Sequence, residues 1–550
     1  MIKSLKRCVP YFVLGALCLV CTFILDFTNA VILDYGFGLV LSLALGVILF
    51  GFLMYEKMRK NADLMTLTLY FVGGVICIGS TFLLTQFNRG ALLVMISGFL
   101  WIFYLAVILY CKGMLNEKTI VLLIILAGFI LRLGYIAYTP YNARQHDVYN
   151  FNEDGSGSGH ARYILWFFQE SKLPDFDPRE IWQFYHPPLH HIIAGGWMRF
   201  LSLFGFSFIR IAESVQVLTL FYSSACMVIF YRILGELKIK GSAKLIAFLV
   251  IAFNPSFVIF AGSINNDILS ITFMLAAVLY TVRWYNDRSF KNIIMLAFTI
   301  GLGMMSKLSA ALVAPAVAVV FLYCLIKNFK SEWKKLFSQF FVFGIICVPL
   351  GLWWSIRNFI RFKMPFGYVP LIGDDVDQYI GFNSVFKRLF DFKMNDVFMA
   401  WGENRGGFFE HNPLLGLLKT SVFGEFRLNE AVAGEAITPF ANILFWVNVI
   451  ICVFSFGAMI YLLFKNTNVI FKIFSLTFYL TVLVSYVQFC FNYPHTCTMN
   501  IRYATPLIIL GAVYLGLFLQ KSKCKFKKVV YLLVPIFCIS TVAVYSLLSL

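Results

Sequence analysis

The chain has 550 residues, of which 60% are hydrophobic, and its mean hydropathy is +0.81. A soluble core could not bury that much apolar surface, and apolar runs of 18 or more residues with few charges are candidates for membrane helices. The composition therefore excludes a soluble domain and predicts an all-α polytopic membrane protein. The 13 cysteines lie mostly within apolar runs and form neither a disulfide framework nor a zinc-binding spacing.

The apolar runs predict about fifteen membrane helices. The first run follows Lys3, Lys6 and Arg7 and lacks a small-residue cleavage site, so we expect it to be retained as a helix. The predicted helices lie at about 10–26, 31–54, 66–86, 91–111, 118–139, 212–231, 245–262, 267–282, 292–306, 308–326, 337–355, 438–464, 473–492, 503–520 and 529–549.

The distribution of the net charge of +18 predicts the orientation of these helices. With the N-terminus in the cytoplasm and 187–206 treated as an interfacial or re-entrant helix, lysines and arginines collect in the inner segments. If 187–206 crossed the membrane, every later loop would invert and the basic segments would face outward. The charge is thus an orientation signal, which argues against nucleic acid as a partner and places two long loops, about 140–210 and 356–437, outside the cytoplasm.

The same pattern predicts four regions in an integral multi-pass protein, which would reside in the plasma membrane if the source is bacterial. Residues 1–115 contain four predicted helices without an acid–base cluster, which suggests an appended transmembrane module. Residues 116–355 form the predicted core and carry the first outer loop, 140–210. Residues 356–437 form the second outer loop, and 438–550 form the C-terminal transmembrane helices.

The first outer loop concentrates ionisable groups, which is rare in a membrane protein unless they serve a function. Asp147 follows His146 shortly after the fifth predicted helix, and Asp154 precedes three glycines that suit a loop folded tightly over a ligand. A carboxylate at the membrane surface can act as a general base if its geometry and pKa suit. Two plainer interpretations stay open: Asp147 could pair with Arg144, and Asp154 could be a solvated loop acid.

Cations follow the acids in this loop. His160 and Arg162 open a short amphipathic helix of the kind that lies in a membrane interface, and His186 precedes two prolines that begin a second such helix. These three side chains could neutralise a phosphate, arginine doing so through two hydrogen bonds. Arg162 could instead anchor the helix at the interface.

Two further histidines, His190 and His191, fall in the first turn of the second amphipathic helix. Because they are adjacent on a helix, we expect at most one of them to face a site. Together with Asp147, the histidines of this loop could alternatively bind zinc.

Four short polar motifs follow at helix ends on the same predicted side of the membrane. Their convergence would form a composite site, although each could be a plain loop terminus. They are Ser263–Asp267, Ser306-Lys307, Trp353–Asn358 and Asn500–Tyr503.

In this order the motifs resemble those of the GT-C glycosyltransferases, specifically the branch that contains the protein O-mannosyltransferases and the lipid A aminoarabinose transferase. The resemblance covers about residues 118–510. Besides the acidic first loop, it rests on His186-Pro-Pro-Leu189, Asn266-Asp267, Ser306-Lys307, Trp354-Ser-Ile-Arg357-Asn358 with Pro365, and Arg502-Tyr-Ala-Thr-Pro506.

The resemblance implies a GT-C-like fold and a donor that carries its sugar on a polyprenyl phosphate. An aspartate of the first outer loop would deprotonate a hydroxyl of a lipid, glycan or protein acceptor, with inversion at the sugar and without a metal or other cofactor. Gly159-His160 stands where the family often has Asp-Glu, which leaves the base open between Asp147 and Asp154. Asp147 is the expected base, because it directly follows His146 and lies closer to the end of the helix, and Asp154 is the alternative. The residues expected to bind the donor are His146, His160, Arg162, His186, Asn266, Asp267, Lys307, Arg357 and Arg502.

Two other functional classes compete with this interpretation. A flippase or transporter of lipid-linked saccharides should show inverted repeats and helices broken at mid-membrane, whereas the ionisable groups here sit at helix ends. Arg132, about seven residues inside a predicted helix, is the exception, and it could line a lipid-phosphate groove or reach the outer surface. A hydrolytic or phosphate-transferring enzyme could also use the same loop.

Overall fold

The structure is a computed structural model, and it confirms the predicted all-α polytopic class. The described residues are 2–25, 40, 44–48, 51, 54–55, 64–86, 90–143, 150–376, 378–394, 410–425, 434–465 and 468–549. Within those ranges the only β pairing is a single bridge between Tyr379 and His495.

Nineteen α-helices have described bounds. They are α1 (Ile2–Ile24), α2 (Leu64–Gln86), α3 (Gly90–Cys111), α4 (Glu117–Tyr138), α5 (Gly159–Glu170), α6 (Leu189–Ser202), α7 (Phe208–Glu213), α8 (Val215–Glu236), α9 (Gly241–Ala252), α10 (Pro255–Phe260), α11 (Asp267–Asn286), α12 (Phe290–Ser306), α13 (Ala314–Phe362), α14 (Val385–Phe390), α15 (Pro413–Phe423), α16 (Gly434–Phe464), α17 (Val469–Asn492), α18 (Pro506–Lys521) and α19 (Lys527–Leu547).

Eight helical stretches among the described residues are long and apolar enough to cross a membrane. Shorter apolar helices, including α12 and α18, account for other predicted spans. Most predicted spans agree with the structure to within a few residues. The predicted helix at 31–54 lies largely outside the described residues.

The predicted spans 308–326 and 337–355 are the two arms of α13, which folds back on itself at Asn328. Asn328 has non-helical backbone angles, φ −115° and ψ 18°. The rings of Phe321 and Phe340 lie 4.7 Å apart. In a straight helix, residues nineteen positions apart would be separated by about 28 Å. The ring contact therefore shows that the two arms pack side by side, as two separate spans would.

The predicted helix at 245–262 is wrong as a single helix, because α9 ends at Ala252 and α10 begins at Pro255. Proline disfavours helical geometry in the residue before it, and it fits the first turn of a new helix. Asn254 caps that turn by accepting a hydrogen bond from the Ser256 N–H at 3.1 Å.

Arg132 stabilises this break rather than lining a groove or reaching the surface. Its side chain is fully buried, and its guanidinium donates to the Ala252 carbonyl at 2.7 Å and to Ser223 Oγ at 2.8 Å. The last carbonyls of a helix have no partner within the helix. Arg132 therefore supplies a donor that α9 lacks.

The helix α6, within the ambiguous segment 187–206, has 14 residues. A helix of that length spans about 21 Å, which is less than the roughly 30 Å of a bilayer core. It packs against α5 at Gly195, where an added Cβ would lie 2.7 Å from Phe167 Cβ and 2.9 Å from the Ile164 carbonyl oxygen. This short, closely packed helix supports its treatment as interfacial or re-entrant.

The second long loop contains a buried helix that the sequence pattern did not predict. Most residues of α15 are buried, and the Ser256 hydroxyl donates to the Ser421 carbonyl at 2.9 Å. At the start of α15, the Glu410 carboxylate and the Lys419 ammonium form an ion pair at 2.8 Å, with both side chains 1% exposed. Residues 395–409 and 426–433 of this loop lie outside the described part of the chain.

The N-terminal helix α1 packs against the core helix α8. The Arg232 guanidinium donates to the Tyr11 hydroxyl at 3.1 Å and lies 4.8 Å from the Tyr11 ring centre. The division of the chain at residue 115 remains a prediction.

Candidate active site

The acidic turn of the first outer loop is built around Asp154 and three glycines. Asp154 Oδ1 accepts a hydrogen bond from the Ser156 N–H at 2.9 Å. This bond holds the pKa of the exposed Asp154 carboxyl below its usual value. Gly155 has φ +72°, a conformation that favours glycine, and an added Cβ would lie 2.5 Å from Gln169 Oε1. Asp154 therefore belongs to a tight turn at the protein surface.

His146 and Asp147 lie outside the described residues.

Arg162 and His160 lie on opposite faces of α5, because two residues along an α-helix differ by about 200° in direction. Arg162 Nη1 lies 3.5 Å from Gln169 Oε1, and its guanidinium lies 5.8 Å from the Trp166 ring. These contacts place Arg162 on the side of the acidic turn. The structure therefore separates two residues that the sequence grouped in one donor site.

His160 is buried in a cluster of rings from α5 and the start of α6. Its Nδ1 is hydrogen-bonded to His191 Nε2 at 2.9 Å, and the His186 ring stacks at 5.5 Å with an angle of 10° between planes. The Tyr163 ring stacks on the His191 ring, and the two ring centres lie 4.2 Å apart. Two of the three expected histidines thus come together, and the cluster includes His191.

The surroundings of His160 keep it uncharged near neutral pH. Burial lowers the pKa of His160 well below its usual value, and the positive charges of Lys307 and Arg502 lower it further. Burial has the same effect on the pKa of His191. A neutral imidazole carries one N–H donor and one acceptor nitrogen, so His160 can donate a hydrogen bond without being an acid.

His190 connects this cluster to the turn that precedes α11. Its Nε2 donates to the Ile264 carbonyl at 2.6 Å, which fixes the proton on that nitrogen. Burial lowers the pKa of His190 to about 4. The adjacent histidines therefore have different partners. His191 is hydrogen-bonded to His160, and His190 is hydrogen-bonded to the backbone beside Asn266.

The Asn266-Asp267 and Ser306-Lys307 motifs meet in the structure. The Lys307 ammonium forms an ion pair with Asp267 Oδ1, the two side chains being 15% and 4% exposed. Asn266 Nδ2 donates to the Ser306 carbonyl at 2.7 Å. Within the described part of the chain, the buried Asn266 Oδ1 has no hydrogen-bond partner, so it could accept one from a ligand.

Lys307 and Arg502 lie close to the same aromatic ring. The Lys307 ammonium is 5.2 Å and the Arg502 guanidinium 4.9 Å from the Tyr503 ring centre. Asn500 orients this segment by accepting the Arg502 N–H at 3.0 Å and donating to Glu425 Oε1 at 3.1 Å. A carboxylate from the second outer loop thus reaches the edge of the site.

Arg357 joins α13 to the first outer loop. Its Nη1 donates to Asn358 Oδ1 at 2.7 Å, its Nη2 donates to the Pro174 carbonyl, and the Trp354 ring centre lies 4.8 Å away. These contacts place the Arg357 guanidinium beside the connector between α5 and α6.

Sequence reasoning missed three contributors to this arrangement. His191 was noted only as one of an adjacent pair, and the pair gave no sign of which ring would face His160. Tyr503 was part of a quoted motif without a role. Glu425 lies in a stretch without periodicity, so no sequence signal marked it.

Metal binding was an alternative for the histidines together with Asp147. Among the described residues, no group of three or more histidine, cysteine, aspartate or glutamate side chains is arranged to hold a metal ion. Asp147 lies outside the described residues.

Residues 185–354 match the profile of a protein family described as dolichyl-phosphate-mannose-protein mannosyltransferase. This match confirms the resemblance to the GT-C glycosyltransferases. It covers the His186, Asn266-Asp267 and Ser306-Lys307 motifs, whereas His160, Arg357 and Arg502 lie outside the matched segment. No individually curated protein matches the chain significantly.

Proposed function

We propose that this membrane glycosyltransferase moves a sugar from a polyprenyl-phosphate donor to an acceptor hydroxyl. The observation that carries the proposal is the convergence of Lys307 and Arg502 on the ring of Tyr503. Fixed cations in a site of low dielectric stabilise charge that develops in a transition state. The leaving phosphate of a lipid-linked sugar gains such charge as its bond to the sugar breaks.

The residues of this site take different parts in the reaction. Lys307 and Arg502 contact the phosphate, and Asp267 holds the Lys307 ammonium in place. The neutral imidazole of His160 donates a hydrogen bond to the donor. Asn266 Oδ1, which lacks a partner among the described residues, accepts one from a sugar hydroxyl.

The reaction is a single displacement with inversion. The acceptor oxygen forms a bond to the anomeric carbon, and the bond from that carbon to the phosphate oxygen breaks. The acceptor proton passes to a carboxylate, and polyprenyl phosphate stays in the bilayer. Asp147 is the proposed base, since Asp154 already accepts a hydrogen bond within its own turn, which makes Asp154 the weaker alternative.

The reaction takes place on the extracytoplasmic face. This part of the proposal rests on the charge pattern, because basic residues concentrate in segments on the cytoplasmic side. The length of α6 supports it as well. A 14-residue helix is too short to cross the bilayer core, so α6 does not invert the orientation of the later spans.

The test is to incubate the purified chain with different polyprenyl-phosphate sugars and a set of lipid, glycan and peptide acceptors. Mass spectrometry should detect a new glycoside and an equal amount of polyprenyl phosphate. The matched control is the double variant Lys307→Gln with Asp267→Asn, which should form both products about 10²–10³-fold more slowly. Movement of the intact donor across a bilayer without a new glycoside would instead support a flippase, and phosphate release without a glycoside would support a hydrolase.

A further inference from the structure

A cavity of about 240 Å³ lies between the ends of α8, α11, α17 and α18. It is far from the candidate active site. Asp267 begins α11 and Asn286 ends it, and the 20 residues of this helix span about 30 Å. That length matches the thickness of a bilayer core, so the cavity lies at the opposite membrane surface from Asp267.

The lining of this cavity is apolar on one side and basic at its rim. Phe471, Phe474 and Leu517 form part of the apolar wall, and Lys238 and Lys521 are the basic residues of the lining. Glu236 also lines the cavity, and its carboxylate is already paired, accepting a hydrogen bond from the Arg283 guanidinium at 2.7 Å. Within the described part of the chain, neither Lys238 nor Lys521 has an ion-pair partner, so the rim is positively charged.

The backbone of Lys238 adds an observation that points to a ligand. Lys238 follows the end of α8 in a left-handed conformation, φ +59°. The Ile239 N–H bonds to the Leu234 carbonyl and the Lys238 N–H to the Gly235 carbonyl, both at 2.9 Å. This pattern is a Schellman motif, in which the left-handed position is usually glycine.

A lysine in that position carries a conformational cost that glycine would avoid. Basic residues are favoured near helix C-termini in general, which explains the charge but not the strained backbone. Strained residues concentrate at functional sites. Gln520 fixes this turn, donating to the Lys238 carbonyl at 3.0 Å and accepting the Lys240 N–H at 2.8 Å.

We infer that this cavity binds the phosphate head group of an anionic glycerophospholipid from the adjacent leaflet. Basic pockets between transmembrane helices bind anionic lipid head groups. The phosphate would lie between Lys238 and Lys521, and an acyl chain would lie along Phe471 and Phe474. A lipid fits better than a soluble phosphate, because a soluble anion would leave the apolar wall uncovered. The inference does not depend on the proposed function.

Native mass spectrometry of the detergent-purified chain tests the inference, together with its melting temperature. Phosphatidylglycerol should stay bound and raise the melting temperature, whereas phosphatidylcholine should do neither at the same concentration. Soluble glycerol phosphate forms the third arm. Stabilisation by glycerol phosphate equal to that by phosphatidylglycerol would overturn the lipid assignment, as would equal stabilisation by phosphatidylcholine.

Two substitutions separate lipid binding from folding. Lys238→Gly removes the cation and relieves the left-handed strain, so its melting temperature without lipid should not fall. Combined with Lys521→Gln, it should weaken the apparent affinity for phosphatidylglycerol at least ten-fold. The control is Lys330→Gln, an exposed lysine near the α13 turn and outside the cavity lining, which should bind like the parent. Unchanged affinity in the double variant would refute the site.

Discussion

Replacing Lys307 separates its part in catalysis from its part in folding. In the parent chain its ammonium is paired with the Asp267 carboxylate, and both side chains are largely buried, with 15% and 4% exposure. Lys307→Gln removes one charge and leaves the other without its partner. Asp267→Asn added to it removes both charges while keeping the shapes of the side chains.

The two variants should differ sharply in stability. Breaking a buried ion pair by removing one partner typically costs about 3–5 kcal/mol, because the remaining charge stays buried without compensation. Replacing both partners is often close to neutral. The double variant should therefore recover most of the melting temperature that Lys307→Gln loses.

Activity should not recover in the same way. If Lys307 stabilises the charge on the leaving phosphate, its loss should cost about 10²–10³-fold in kcat, as the loss of one preorganised donor does. The assay measures kcat for glycoside formation, and melting temperature, for the parent, both single variants and the double variant. Recovery of parental kcat in the double variant would refute the catalytic role and make Lys307 a structural residue.

Three further predictions concern the first loop, the histidines and the topology. Asp147→Asn should lower kcat by about 10²–10⁴-fold without weakening donor binding, whereas Asp154→Asn should have a milder effect; near-normal transfer by both would remove the base from this loop. The pKa of His190 is about 4 in the folded chain against a usual 6.5, so unfolding takes up a proton between these values. His190 alone should therefore lower the free energy of unfolding by about 1.4 kcal/mol per pH unit between roughly pH 6.5 and 4. Because the pKa values of His160 and His191 are lowered as well, His190→Asn should reduce, and not abolish, the fall of the melting temperature in that range. Single cysteines at Ser171 and Ser384, in a background without native cysteines, should react with an impermeant reagent in intact cells; protection of both would contradict the topology.

The sequence predicted the elements of the fold well, because apolar length is the dominant signal in a membrane protein. The prediction failed where the sequence signal of an element extends over only a few residues. The break at Asn254-Pro255 was hidden within one continuous apolar run, although Pro255 was its visible sign. The buried α15 was hidden for the opposite reason, since its 11 residues are too few for a span and carry no clear periodicity.

The site was predicted as a set of residue types but not as a set of pairings. Lys307 and Asp267 were both expected at the donor, yet nothing in the sequence indicates that they neutralise each other. Arg162 was grouped with His160 because they are neighbours in sequence. Helical geometry places them on opposite faces of α5, and a prediction of which face is buried needs the position of α6.

The ion pair also limits where the general base can lie. An inverting displacement requires the acceptor to approach the anomeric carbon from the side opposite the leaving phosphate. In the proposed mechanism Lys307 and Arg502 mark the phosphate side, and Asp267 lies there with Lys307. A carboxylate held by the cation that binds the leaving group cannot also receive the acceptor proton across the sugar ring. In this mechanism Asp267 positions Lys307, and we expect the base to come from another segment. The first outer loop reaches this site through His190, which is hydrogen-bonded to the Ile264 carbonyl beside Asn266. We therefore expect the base in that loop, in which Asp147 stands in sequence.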